Sequence, residues 1–300
     1  MKTISVYHWE KIAKKTKLDK RSKDLRKRIL DTVNAVRRGH VGSAFSSIDI
    51  VRVLYDEFLR FDAKKPQWEE RDRFVFSKGH GCLSLYTMLA DKGFFGQEEL
   101  KTFCKFGSKF GGHPQYGKVP GVEASTGSLG HGLSLSVGMA LALAARNSKF
   151  PASPAGRQIP NSKSPRVFVL LSDGECNEGS TWEAALSASK HKLDNLLILV
   201  DYNKMQSYGN TYNVLDLEPF RAKWEGFGFR VTEVNGHDAK ALTSTIKKVL
   251  SKKKSMQIII CHTVKGKGVP FIQQNPSWHH KHAIINEEME RLYEELKVYA

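Results

Sequence analysis

Between Val167 and Asn203 the chain reads VFVLLSDGECNEGSTWEAALSASKHKLDNLLILVDYN. Two short apolar runs, VFVLL and LLILV, flank a helical stretch of about four turns. Each run leads into an acidic turn, Asp173-Gly174 after the first and Asp201-Tyr202-Asn203 after the second. A strand–helix–strand crossover makes its two strands parallel, so both carboxyl ends emerge on the same edge of the sheet. Asp173 and Asn203 are therefore expected to converge in the crevice where open α/β sheets take their ligands. A carboxylate plus an amide oxygen is too little to cage a bare cation. The pair suits a hard ion such as Mg²⁺, whose octahedron is completed by phosphate oxygens and water. The run predicts a metal–diphosphate site at the edge of a parallel sheet.

Strand and helix signals alternate along the rest of the chain, which predicts one α/β domain over residues 1–300, a doubly wound, mostly parallel sheet flanked by helices. Residues 1–38 read as a basic helical lead-in with Leu25, Ile29, Val33 and Val36 at helical spacing. An amphipathic helix is predicted from Ile48 to Phe61, and RDRFVFSKGHG reads as a short strand running into a glycine-flanked histidine. LSLYTMLADKG is a helix with a glycine stop at Gly93, and STGSLGHG opens a small-residue helix over Leu133–Arg146. Residues 147–165, rich in Pro, Ser and Lys, read as an exposed loop. FRVTEV and QIIICHT are further strands, with helices at Ala239–Leu250 and Asn286–Val298.

The formal charge of +16 raises the question of a nucleic-acid partner. Residues 1–30 carry eleven Lys/Arg against three Asp/Glu, and residues 146–166 carry five against none, so most of the surplus sits in two segments. A basic lead-in and a basic loop are ordinarily solvated surface or a contact to an acidic partner. No RNA- or DNA-binding motif accompanies them, and nucleic-acid binding is not expected. Cys82, Cys104, Cys176 and Cys261 show no CxxC spacing and no disulfide framework. The first residues lack the apolar core of a secretory leader, and Leu129–Ala145 is too polar for a membrane span. A cytoplasmic protein without membrane contact is expected.

Four histidines lie in glycine-rich loops rather than on apolar faces: His40 in RRGHVGSA, His80 in SKGHG, His113 in GGHPQ and His279 in PSWHH. Imidazole can donate to phosphate and sugar oxygens and can carry protons near neutral pH. Together with the DG…DYN unit, these segments resemble the transketolase family of thiamine-diphosphate enzymes. The family pattern GDG…N reads SDG…N here, with Ser172 and Tyr202 as departures. RDRFVFSKGH, GGHP, GHVGSAFS, STGSLGHG and TVKGKGVPFIQQNPSWHHK resemble further family segments; Val41 stands for a proline, His131 for a glutamine, and His280 for a glycine.

The resemblance implies thiamine diphosphate bound through Mg²⁺ (or Ca²⁺ or Mn²⁺), with the metal held by Asp173, Asn203 and the carbonyl of Met205. It implies coenzyme contacts from His80, His279 and Asn203, from the turn Asp173, Gly174 and Glu175, and from the loop Gly127, Ser128 and Leu129. His40, His80, His113 and His279 are implied to steer sugar hydroxyls and protons. Glu178 matches a family glutamate that meets a partner carboxylate across a subunit interface; it also precedes a helix start, where it would favour the helix dipole. Full-length members continue into a pyrimidine-binding domain and a C-terminal domain, for which 300 residues leave no room. The implied protein is thus the N-terminal subunit of a split transketolase, an α2β2 assembly with a C-terminal subunit. It would transfer a two-carbon ketol unit from a ketose, or ketose phosphate, to an aldose. Alternatives are a subunit like the α chain of 2-oxoacid dehydrogenases and a non-catalytic regulatory homologue.

Overall fold

In the computed structural model, residues 6–147, 164–252 and 255–299 are described. Most of the loop expected at 147–165 lies outside them. Five parallel strands form one sheet in the order β1-β2-β3-β5-β4. In chain order the elements are helices α1 (Val6–Lys15), α2 (Lys20–Val36) and α3 (Val41–Val53), strand β1 (Arg73–Phe76), and helices α4 (Cys82–Asp91) and α5 (His131–Asn147). Strand β2 (Val167–Ser172), helix α6 (Gly179–Lys190) and strand β3 (Leu196–Tyr202) form the predicted crossover. Helices α7 (Thr211–Val214) and α8 (Phe220–Gly226), strand β4 (Arg230–Asn235), helix α9 (Ala239–Leu250), strand β5 (Gln257–His262) and helix α10 (Asn286–Val298) complete the chain. The sheet is parallel throughout.

The strands read as unbroken apolar runs because both faces are covered. Phe168, Leu170, Leu197, Leu199 and Ile259 pack into one core with α2, α3, α4, α9 and α10. Their alternate neighbours Val167, Val169, Ile198, Val200 and Ile258 pack into a second core with α5, α6 and α8. This is the period of two of a strand buried on both sides, and it makes the sheet doubly wound.

Two expectations need correction. The lead-in is two helices rather than one, broken where Asp19 accepts the amide of Ser22 at 2.7 Å and caps the start of α2. Helix α3 begins at Val41, directly after His40, and widens into a π turn over Leu54–Phe58 instead of running from Ile48 to Phe61. Nearly all of α3 is buried, so its small residues let it pass between α2 and α4 while offering no polar face for periodicity to reveal. That path delivers His40 to the carboxyl edge of the sheet.

Beneath this edge lies a fully buried polar network. Arg26 donates to both oxygens of Asp49, at 3.0 and 2.7 Å, and to the carbonyl of Lys267 at 2.8 Å. His237 Nδ1 lies 2.8 Å from Asp49, and its Nε2 accepts the amide of Val264 at 2.8 Å. The network ties α2 and α3 to the segment that follows β5. Among the described residues no helix is long and apolar enough to cross a membrane, and all four cysteines are free.

Candidate active site

Because β2 and β3 are parallel neighbours, with Ser172 beside Asp201, Asp173 and Asn203 leave the sheet on the same edge. Asp173 Oδ2 accepts the amide of Lys204 at 2.6 Å, and its Oδ1 accepts the amide of Gly174 at 2.8 Å. Asn203 Oδ1 accepts the amide of Met205 at 3.0 Å, while Nδ2 donates to Ser46 Oγ at 3.0 Å. The Met205 carbonyl faces the ammonium of Lys265 at 3.4 Å. Burial, helped by neighbouring Asp201, pushes the Asp173 carboxyl up to about 6, against the pull of Lys265 and Lys78. This is a carboxylate in want of positive charge. The predicted donors are all oxygens, one carboxylate, one amide and one carbonyl, and so match a hard divalent ion whose remaining positions are filled by phosphate and water. They include one carboxylate only; among the described residues no cluster of three or more His, Cys, Asp or Glu is disposed to hold a metal without such help.

Two lysines complete the edge, and sequence reasoning assigned them no role although both lie in quoted motifs. Lys78, just past β1, is fully buried, forms an ion pair with Asp201, and donates to the carbonyl of Ser43 at 3.4 Å. Burial disfavours the Asp201 charge, but Lys78, Thr263 and Ser46 outweigh it and hold the carboxyl below its ordinary value. Lys265, just past β5, reaches His279 Nδ1 at 2.5 Å. Burial lowers its ammonium to about 8. Lys78 is engaged by Asp201, whereas Lys265 contacts the Met205 carbonyl and His279 and is the cation of this edge that suits a diphosphate. Ser43 Oγ, also buried, has no hydrogen-bond partner among the described residues. The signal was the paired SKGHG and VKGKG loops, each placing a lysine beyond a strand end.

The four predicted histidines converge. The His40 ring centroid lies 5.4 Å from His80, 5.5 Å from His279 and 6.5 Å from His113, and His80 lies 5.3 Å from His279. The doubled histidine contributes both members: His279 meets Lys265, and His280 stacks on His40 at 4.3 Å. Burial, reinforced by His280, His279 and His113, lowers His40 to about 3. Burial and Lys265 bring His279 equally low, and His80 is also held well below its usual value by burial. The inner imidazoles are neutral at pH 7, each with one donor and one acceptor nitrogen.

The loop Gly127–Leu129 backs onto the SKGHG turn. A Cβ on Gly79 would lie 2.8 Å from the Gly127 amide nitrogen, and one on Gly127, where φ is +148°, would lie 2.9 Å from the His113 ring. Only glycine permits this approach, which leaves a flat backbone surface beside His113. Ser128 is exposed and Leu129 half-buried on that surface.

Of the two glutamates in this turn, one is exposed and one is buried. Glu178 is exposed, stands at the N-cap of α6 and makes no side-chain capping bond. The buried carboxylate is Glu175, which faces inward: it accepts from Ser77 Oγ, from the Gly130 amide at 3.0 Å and from the Ser172 amide at 3.2 Å. Burial raises it to about 7 despite these bonds. Its side chain braces the glycine loop against the ends of β1 and β2 instead of reaching outward.

The chain matches the family model "Transketolase, thiamine diphosphate binding domain" over residues 19–298. It is 39% identical over 281 residues to one subunit of the apulose-4-phosphate transketolase of Actinobacillus succinogenes, covering 93% of this chain and 96% of that protein. It is 36% identical over 247 residues to one subunit of a 6-deoxy-6-sulfo-D-fructose transketolase of a Clostridium species, covering 82% of this chain and 84% of that one. The solved transketolase of Leishmania mexicana superposes with a TM-score of 0.80 at 28% identity, over 98% of this chain and 42% of that one.

Proposed function

The chain belongs to the transketolase thiamine diphosphate-binding domain family, and from that premise we propose that it is the coenzyme-holding subunit of a two-chain transketolase. The carrying observation is the meeting, on one sheet edge, of Asp173, Asn203 and the Met205 carbonyl with Lys78, Lys265 and the inner histidines. Similarity along nearly the whole length of a protein that is itself named as one subunit of an enzyme supports the split arrangement. The partner would be a subunit carrying the pyrimidine-binding and C-terminal domains, in an α2β2 assembly. The cytoplasm is the expected compartment.

In this reading Asp173, Asn203 and the Met205 carbonyl hold Mg²⁺ (or Ca²⁺ or Mn²⁺). Lys265, His80 and His279 would take the diphosphate of thiamine diphosphate, with Lys78 holding Asp201 behind them. Gly127, Ser128 and Leu129 support its rings, and Gly174 and the Glu175 backbone complete the turn beside it. When bound, thiamine diphosphate supplies the carbanion-stabilising centre through which a two-carbon ketol unit leaves a ketose and joins an aldose.

The protein's own part is orientation and proton control. His40 and His279, held neutral by burial, can donate to a substrate hydroxyl from one nitrogen; at His279 that is the nitrogen left free by the contact of Nδ1 with Lys265. His113, exposed at the rim, is placed to bind hydroxyls of the ketose donor. Glu178, exposed on the surface of α6, is available to a carboxylate of a second chain.

The test is reconstitution. The chain mixed with a C-terminal transketolase subunit, thiamine diphosphate and Mg²⁺ is expected to transfer the ketol unit from fructose 6-phosphate to an aldose acceptor, and each chain alone is expected to be inactive. Ketol transfer by this chain alone, or coenzyme-independent turnover, would contradict the assignment.

A further inference from the structure

Beyond the four histidines assigned to catalysis, two more extend outward from them. The His280 ring lies flat on His40, centroids 4.3 Å apart and planes within 7° of parallel. The His282 ring meets His280 edge-on at 4.2 Å. His40 in turn presents its edge to His80 and His279. The rings form a continuous ladder from the floor, where Lys265 touches His279, to solvent at His280 and His282, both exposed. A sugar whose reacting carbons lie at the floor and whose chain follows this ladder has its remote end at the outer pair.

Around His280 the neighbouring charge has one sign. Among the described residues, the groups acting on His280 are His282, the exposed Arg38 and His113, with no carboxylate among them. On the adjoining segment, Glu288 is engaged by Lys281 at 2.7 Å. A rim with guanidinium and imidazole donors and no opposing carboxylate suits a tetrahedral oxyanion. The stack on His40 also fixes the plane of the His280 ring, so its edge nitrogens point in a set direction.

We propose that His280, with Arg38 and His282, is a specificity-determining element that recognises a phosphate or sulfonate at the end of the sugar remote from the transferred carbons. The inference rests on the ketol-transfer reading of the site. It adds to that reading which sugars the chain itself selects.

The experiment uses the chain reconstituted with its partner subunit, thiamine diphosphate and Mg²⁺, and three donors of one carbon skeleton: fructose 6-phosphate, 6-deoxy-6-sulfofructose and fructose. In His280→Gly the ratio of kcat/KM for an anionic donor over fructose is expected to fall about tenfold or more, with the change carried by KM. His280→Gln, which keeps a planar donor, is expected to recover part of it. His282→Ala, which removes the outermost ring and leaves the His40–His280 pair in place, is expected to lower the ratio about threefold. A fall with only one of the two anions upholds the inference and identifies the anion.

A ratio within twofold of wild type in His280→Gly and His282→Ala overturns it, as does an equal loss of kcat with all three donors. Thiamine diphosphate affinity and melting temperature report that each variant is folded. A wild-type complex inactive on all three sugars overturns the functional reading and this inference together. Wild-type turnover with an unchanged ratio in the variants overturns this inference alone.

Discussion

The ammonium of Lys265 lies 2.5 Å from Nδ1 of His279, joining the segment after β5 to the WHH segment across the floor of the crevice. The contact works in both directions: the lysine's charge, adding to burial, keeps the imidazole unprotonated, and the imidazole offers the ammonium an acceptor. Lys265→Met removes the cation and keeps most of the side-chain volume. A charge-assisted hydrogen bond of about 1.5–3 kcal/mol corresponds to roughly a 10–150-fold loss of thiamine diphosphate affinity. Isothermal titration of the chain with coenzyme and Mg²⁺ measures it. Unchanged affinity would place the diphosphate elsewhere.

Glu175 makes the fold sensitive to pH in a definite direction. Burial raises its carboxyl to about 7 from an ordinary 4.5, so the folded chain holds this proton through a range in which the unfolded chain has lost it. The stability it contributes is present below about pH 4.5 and is lost as pH rises through about 7. Glu175→Gln is neutral at every pH. Apart from a constant offset for its altered hydrogen bonds, the variant is expected to gain about 2 kcal/mol relative to wild type between pH 5.5 and pH 8. Urea unfolding at the two pH values tests the difference, and a pH-independent offset would contradict the raised pKa.

The Arg26–Asp49–His237 network is expected to matter for stability more than for chemistry. Burial disfavours the Asp49 charge, but Arg26 and His237 overcome it and hold the carboxyl far below its ordinary value. Asp49→Ala strands a guanidinium that is fully buried. Breaking such a pair costs about 3–5 kcal/mol, seen as a shift of the urea midpoint. Lys27→Ala, which breaks an exposed contact to Asp31, is expected to cost under about 1 kcal/mol. Equal costs would mean that burial is not what gives the network its weight.

His113 separates coenzyme binding from donor handling. It is exposed, stands 6.5 Å from His40 and lies beside Gly127. His113→Ala is expected to lower kcat/KM for the ketose donor about tenfold or more while changing coenzyme affinity less than threefold. Steady-state kinetics of the reconstituted enzyme, paired with coenzyme titration, distinguishes the roles. The reverse pattern would assign His113 to the coenzyme.

Most of the fold is legible in the sequence because the strands and amphipathic helices obey simple periods. The run Val167–Asn203 announces its crossover, and α9 and α10 carry the bounds expected for them. What escapes has identifiable reasons. Helix α3 is small-residued and buried almost all round, so GHVGSAFSS resembles a loop. The break before α2 had a signal, Asp19 three residues before Ser22, that helical spacing alone overlooks. The roles of Lys78 and Lys265 depend on burial, which charge counting along the chain treats as surface. Glu175 and Glu178 are three residues apart in one acidic turn, and only the path of that turn decides which is sealed inside.

The central claim is that Asp173 anchors a magnesium diphosphate beside Asn203 and Met205. Calorimetric titration of thiamine diphosphate into the chain, with and without Mg²⁺, in wild type and Asp173→Ala, tests this most directly. Wild type should bind only with the metal, and Asp173→Ala should lose at least about 100-fold in affinity, the order expected for removal of a charged metal ligand. Metal-independent binding in wild type, or wild-type affinity in Asp173→Ala, would contradict it.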